Sequence, residues 1–237
     1  MTQRMDQLMT ASLISYSQPP AESTITLNSE SDNEILTNLI SFCARVSAPD
    51  NQDDYASGQK LINYLVKHQH WSPLEMVSAC IGVETTRDIA RQFLRHRSFS
   101  FQEYSQRYAD PTKDLEFVHR EARLQDPVNR QNSIDCGPEH FEILVEWTRH
   151  QQRVIDTAKV AYEWAISNGI AKECARVVLP EGNTVSRIYV NGTIRSWVHY
   201  VDLRSSNGTQ KEHMQIARAC STALMSIFPN IEKYTHD

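Results

Sequence analysis

Between Pro138 and Gly169 the chain has neither glycine nor proline. Proline suits a first helical turn, where its missing N–H is not needed, and glycine suits the residue just past a helix end. Apolar Phe141, Leu144, Val145, Trp147, Val154, Ile155, Ala158, Tyr162 and Trp164 punctuate the interval, so the pattern predicts one long helix over about 139–168. Further helices are expected over 32–47, from Ser31 and Glu34 as a capping box, then around 61–70, 88–97, 171–178, 193–203 and 209–227. Strands are expected over 76–86 and 185–190. Residues 98–113 read as a long loop, 114–137 as a polar, weakly patterned stretch, and residues 1–30 as a flexible extension. Helices dominate and the few strands do not alternate with them in βαβ order, so the expected class is α+β, not a doubly wound sheet.

Composition narrows the function classes. The 237 residues suffice for a core as one domain, taken as 31–237. A net charge of −5 and an isoelectric point near 6.0 argue against general nucleic-acid binding. No apolar run reaches membrane-spanning length, and the first residues lack a signal peptide's pattern. Five widely spaced cysteines with no C-x-x-C pair make disulfide and zinc frameworks weak readings, and a reducing cytoplasm the expected compartment. No two histidines stand four apart, and no metal is expected.

Against that acidic background, residues 91–108 carry four arginines (Arg91, Arg95, Arg97, Arg107) and one glutamate, Glu103, among serines and aromatics. Like charges so grouped repel unless an anion neutralises them, and guanidinium forks fit phosphate. The Arg95-His96-Arg97 triplet alone reads equally well as a cationic helix end suited to the dipole. Glu103, Ser105 and Arg107 beyond it favour a ligand cradle. The segment His70-Trp71-Ser72-Pro73-Leu74-Glu75 alone reads as a turn between helix and strand. Arg176, on an apolar stretch ending at Pro180, is either half of an ion pair or an anion contact. Arg195, His199 and Asp202 share one helix face, with Arg204 at its end.

In order, these blocks resemble the flavin-dependent thymidylate synthases. That family's signature, Arg-His-Arg followed by seven or eight residues and Ser, stands here as Arg95-His96-Arg97 with seven residues before Ser105. The flanking Gln92 and Gln106-Arg107, the His70–Glu75 segment, Arg176–Pro180 and the Arg195–Arg204 helix also match, and the likeness covers about 35–228. The resemblance implies a central antiparallel or mixed sheet flanked by helices. It also implies a homotetramer whose active sites draw on several subunits, and conversion of dUMP to dTMP. FAD would be the cofactor, with 5,10-methylenetetrahydrofolate as carbon donor and NADPH as reductant. Carried over, FAD would meet Ser72, Arg95, His96, Arg97, Ser98, Glu103, Thr193, Ile194, Arg195 and His199. The substrate dUMP would meet Gln92, Phe93, Leu94, Arg95, Glu103, Tyr104, Ser105, Gln106, Arg107, Arg176 and Arg204. Arg204 matches the family's activating residue. A guanidinium keeps its charge at any working pH, so it would polarise the uracil by electrostatics and not serve as a neutral base. Thr193 stands where many members have Asn, and Gly208 where some have His. Residues 120–137 and the first 30 have no clear counterpart. The competing readings are a flavin-dependent methyltransferase acting on another uracil-containing substrate, and a nucleotide- or RNA-binding module.

Overall fold

The computed structural model describes residues 8–20 and 32–236; Ser31, half of the expected capping box, lies outside them. Four strands form one sheet in the order β1-β2-β6-β3: β1 (Thr10–Tyr16), β2 (Ser78–Thr86), β3 (Ser100–Glu103) and β6 (Val185–Thr193). Every pairing is antiparallel, which resolves the expectation of an antiparallel or mixed sheet. The stretch read as a flexible extension contains β1. Its residues 10–16 alternate in burial and zip onto β2 from Thr10↔Glu84 to Tyr16↔Ala79, with a bulge between Leu13 and Ser15. The stretch read as polar and unpatterned holds a small hairpin, β4 (Arg123–Gln125) with β5 (Ser133–Asp135). The expected long loop 98–113 contains β3 and a single helical turn, α4 (Pro111–Asp114).

The central ladder pairs β2 with β6 over nine residues, Ser78↔Thr193 to Thr86↔Val185. Period-two alternation separates its faces. Ala79, Ile81, Val83, Ile188 and Val190 are buried inward, whereas Arg187, Tyr189 and Asn191 face out. The inward face is covered by α1 (Asp32–Ala44), α2 (Gly58–Lys67), α7 (Ile194–Ser205) and α8 (Lys211–Met225), through Leu36, Ile40, Ile62, Trp197, Ile216 and Leu224. Trp197 is fully buried and donates its indole N–H to the Ala79 carbonyl at 3.0 Å, which satisfies its one polar atom. The outward face carries Ile14 and Tyr189 closing over Gly82, both still half exposed. Among the described residues, the helices of the core thus lie on one face of the sheet.

The long helix is α5 (Phe141–Ser167), preceded by a 3-10 turn from Pro138 and stopped by Gly169 at φ 77°. That left-handed conformation is one glycine adopts without strain. This helix packs Tyr162 and Ala165 against Ala175 and Leu179 near α6 (Lys172–Ala175), a cluster separate from the main core. Phe141, Val145, Trp147, Val154, Val160 and Trp164 remain exposed.

Neither strand of the ladder has a connecting loop at its C-terminal end. At Thr86, β2 becomes α3 (Arg87–Phe93), and at Thr193, β6 becomes α7, with the Thr193 hydroxyl accepting from Ser196 N at 3.2 Å as an N-cap. Gly192 sits where a Cβ would lie 2.3 Å from the Phe99 ring. Gly192→Ala should therefore push Phe99 off the ladder and cost about 2 kcal/mol, read as a lowered denaturant midpoint with an unchanged slope. An unchanged midpoint would contradict this packing.

Candidate active site

Because β2 and β6 run in opposite directions, α3 and α7 start at opposite ends of the ladder. The ladder is about 30 Å long, α3 about 10 Å and α7 about 18 Å, so the two helices fold back towards each other and their C-terminal ends converge. The meeting point is a hydrogen bond from Arg204 Nε to His96 Nε2 at 3.0 Å. Two helix C-termini bring carbonyl ends and partial negative charge to one place, which suits the cations Arg95, Arg97 and Arg204 there. Arginine is a donor only, so His96 accepts at Nε2 and carries its proton on Nδ1. Burial, then the guanidinium of Arg204, then that of Arg95 lower the His96 pKa to about 4.

Beneath this pair lies a ring cluster. Phe93 stacks on Tyr200 at 4.3 Å between centroids, and His96 meets Tyr200 edge-on at 5.1 Å. His213 of α8 completes it, fully buried, 5.8 Å from Tyr200. Burial, then Arg204 and His96, lower the His213 pKa to about 3. Its Nδ1 meets Gln92 Oε1 at 3.2 Å. The sequence pattern singled out Gln92 but not His213, because the two are 121 residues apart and a lone histidine in a helix gives no signal.

A second group forms around the N-terminal half of α7. Arg195 pairs with Glu75, the His199 ring meets Trp71 at 4.7 Å, and Ser196 Oγ donates to the Ser98 carbonyl at 3.3 Å. This brings Ser72, Ser98, Thr193, Arg195 and His199 together, and gives the His70–Glu75 segment a place beyond that of a plain turn. Burial, then Arg195, lower the His199 pKa.

A third group lies past the far end of β3. Glu103 accepts from Ser186 Oγ at 3.0 Å and pairs with Arg87 at 3.4 Å. Tyr104 donates to Asp114 at 3.0 Å, and Arg107 pairs with Glu173 at 3.1 Å beside Arg176. The four residues of β3 alone span about 13 Å. The arginine-rich stretch that reads as one cluster along the sequence is therefore divided by β3, with Arg91, Arg95 and Arg97 before it and Arg107 after it, and among the described residues no hydrogen bond or ion pair joins Ser105–Arg107 to His96 or Arg204.

The expected contact residues differ in what they can offer. Phe93 and Ile194 are 1% exposed and Gln106 3%. They shape the site from behind, and only their backbone can face a ligand. Glu103, expected to accept from a ligand, already has Oε1 engaged twice. Arg95, Arg97 and Arg176 have no acidic partner among the described residues, so their charge is uncommitted.

The sequence matches the Thy1 family, described as "Thymidylate synthase complementing protein", over residues 26–230. The chain belongs to this family. It is 42% identical over 225 residues to the probable flavin-dependent thymidylate synthase of Paramecium bursaria Chlorella virus 1, covering 95% of this chain and 98% of that one. It is 45% identical over 194 residues to the flavin-dependent thymidylate synthase of Synechocystis sp. (strain ATCC 27184 / PCC 6803 / Kazusa), covering 81% and 86%. The fold is similar to the crystal structure of the UMP/dUMP methylase PolB from Streptomyces cacaoi bound with 5-Br dUMP, with TM-score 0.74 and 26% identity over 95% of this chain and 93% of that one.

The partly buried His96 and the buried His213 set an acid limit. In the unfolded chain a histidine takes up its proton near pH 6.5; in the fold His96 and His213 stay neutral down to about 4 and about 3. The unfolded state therefore binds more protons below pH 6.5, and stability is complete above that value and falls as pH drops towards the folded values. The expected loss is on the order of 1 kcal/mol per pH unit or more between pH 6 and 4.5. Denaturation midpoints measured across that range at fixed ionic strength check it, and a flat profile would refute the neutral pair.

Proposed function

We propose that this Thy1-family chain is a flavin-dependent thymidylate synthase that methylates dUMP to dTMP. Family membership and the Arg204–His96 contact carry this reading. The contact presents a fixed guanidinium where two helix ends meet, beside cations with no acidic partner among the described residues. Such a site recognises a phosphorylated substrate and stabilises negative charge that develops on it.

The fit to FAD rests on two features of the chain: the uncommitted Arg95 and Arg97, which can take a diphosphate, and the Trp71–His199 ring pair next to Ser72 and Ser98. These residues, with Thr193, Ile194 and Arg195, would hold the flavin, which when bound supplies the hydride chemistry. Ile194 would contribute only through its backbone. The reading assigns 5,10-methylenetetrahydrofolate as carbon donor and NADPH as reductant.

In dUMP recognition, Arg95, Arg107 and Arg176 take the phosphate, and Arg204 lies against the N3/O2 edge of the uracil. There the guanidinium draws charge onto the carbonyl edge and makes C5 reactive. His96 holds Arg204 by Nε, which leaves its two terminal nitrogens for the substrate. Ser105 has no base beside it and acts as a contact, not a nucleophile. Phe93 supports the floor, while Gln92, Leu94, Glu103, Tyr104 and the Gln106 backbone border the nucleotide.

Among the described residues no hydrogen bond or ion pair links the Arg204–His96 contact to Arg107, and the reading takes the two from different copies around one nucleotide. The exposed apolar side chains of α5 offer surface for that association. We therefore include a homotetramer with shared sites in the proposal, working in a reducing cytoplasm that suits its five free cysteines.

Arg204→Ala should lower dTMP formation by about 10²-fold or more while FAD stays bound, as read from the flavin spectrum and a dTMP assay with dUMP, methylenetetrahydrofolate and NADPH. Near-normal turnover would remove Arg204 from the mechanism. A purified protein that takes up no FAD yet binds RNA would replace the whole reading with a binding module.

A further inference from the structure

A chain of hydrogen bonds with a defined direction runs beneath the nucleotide side of the site. It begins at Glu212, 2% exposed, whose carboxylate accepts from Arg123 at 2.8 and 3.0 Å and pairs with Arg120 at 3.4 Å. Two guanidiniums keep that carboxylate ionised; its pKa is about 2 despite burial, which acts the other way. An ionised carboxylate accepts and never donates. The Gln210 side chain must therefore turn its Nε2 to Glu212, at 2.9 Å, and its Oε1 is left to accept. Gln92 Nε2 fills that acceptor at 2.7 Å. The Gln92 carboxamide is then fixed the same way, with Oε1 facing His213 Nδ1 at 3.2 Å. Only a proton on Nδ1 makes this last contact a hydrogen bond, so His213 is the neutral Nδ1–H tautomer.

One buried charge thus sets the orientation of two amides and the tautomer of a histidine. Reversing Gln92 would put N–H against N–H at His213 and oxygen against oxygen at Gln210. Deep burial and the nearby Arg204 keep His213 neutral, in agreement with that tautomer. Among the described residues its Nε2 has no partner, so Nδ1 makes the one hydrogen bond of the ring there.

We propose that His213 is a positioning residue for nucleotide binding: through Nδ1–H, and with Gln210 on the other side, it locks the Gln92 carboxamide so that the second N–H of Gln92 Nε2 is presented to an acceptor on dUMP. This rests on the reading above that Gln92 borders dUMP. The locked amide offers a donor with its rotamer already fixed, and rotamer freedom is a cost that binding would otherwise carry.

The test uses the FAD-loaded full-length enzyme and compares four variants, Gln92→Ala, His213→Leu, His213→Asn and Gln210→Leu. The Asn amide places an N–H near the position of Nδ1, whereas Leu does not. Gln210 is exposed, so its replacement tests the lock without opening the core. His213→Leu and Gln210→Leu should each raise the KM for dUMP about fivefold, with kcat within about twofold and flavin content unchanged, and His213→Asn should restore most of the loss. Should Gln92→Ala raise the KM while neither His213→Leu nor Gln210→Leu does, the lock is overturned. His213→Asn as impaired as His213→Leu would overturn it too, since packing and not the donor would then matter. Should Gln92→Ala itself leave the KM unchanged, the placement of Gln92 at dUMP fails first, and the proposal with it. If His213→Leu does not fold, Gln210→Leu and His213→Asn still decide the question by the same measurements.

Discussion

The nine-residue antiparallel pairing of β2 with β6 sets everything else in this molecule. It buries Ile81, Val83, Ile188 and Val190 on one face and launches α3 and α7 from opposite ends with no intervening loop. The lengths of those two helices then decide that Arg204 reaches His96. A residue added to or removed from either helix would turn its last side chains by about 100°, and the contact would be lost. The reactive end of the site is therefore fixed by backbone geometry, while packing of Trp197, Phe93 and Tyr200 behind it keeps the two helices at their spacing.

The arginines divide into two populations. Arg87, Arg91, Arg107, Arg120, Arg123 and Arg195 have carboxylate partners, and several of these pairs tie distant segments together, as Arg123 does between the hairpin and Glu212. Among the described residues Arg95, Arg97, Arg176 and Arg204 have none. Paired arginines hold the scaffold, and unpaired ones are where an anionic ligand gains most. Arg107 is a mixed case. Its partner Glu173 is half exposed, and such a pair contributes little, so a phosphate can displace it at small cost.

Much of this was legible in the sequence, for identifiable reasons. The long helix is announced by Pro138 and Gly169, and α7 and β2 by their periodicity. The order of blocks around Arg95-His96-Arg97 pointed to the family. What escaped depends on contacts between remote residues. The strand β1 alternates as an edge strand does, but it sits in a polar stretch with Pro19 and Pro20 after it, and only its pairing with β2 gives it a place. The arginine-rich stretch looked like one cluster because sequence distance does not show that β3 is extended and holds its ends apart. The resemblance assigns Phe93, Ile194 and Gln106 to ligands block by block, and it does not show that their own side chains are buried. His213 was silent because Gln92, the hydrogen-bond partner of its ring, lies 121 residues away in the chain.

The central claim of the proposed function is that Arg204 of one copy and Arg107 of another meet around one nucleotide. The most direct measurement is complementation between Arg204→Ala and Arg107→Ala, each inactive or nearly so at low dUMP, unfolded together and refolded as a mixture. Random assembly would give intact sites at about a quarter of the total, and dTMP formation should recover to that order in the mixture but in neither variant alone. A mixture no more active than the sum of its parts would mean that one chain supplies both arginines, and would contradict the account.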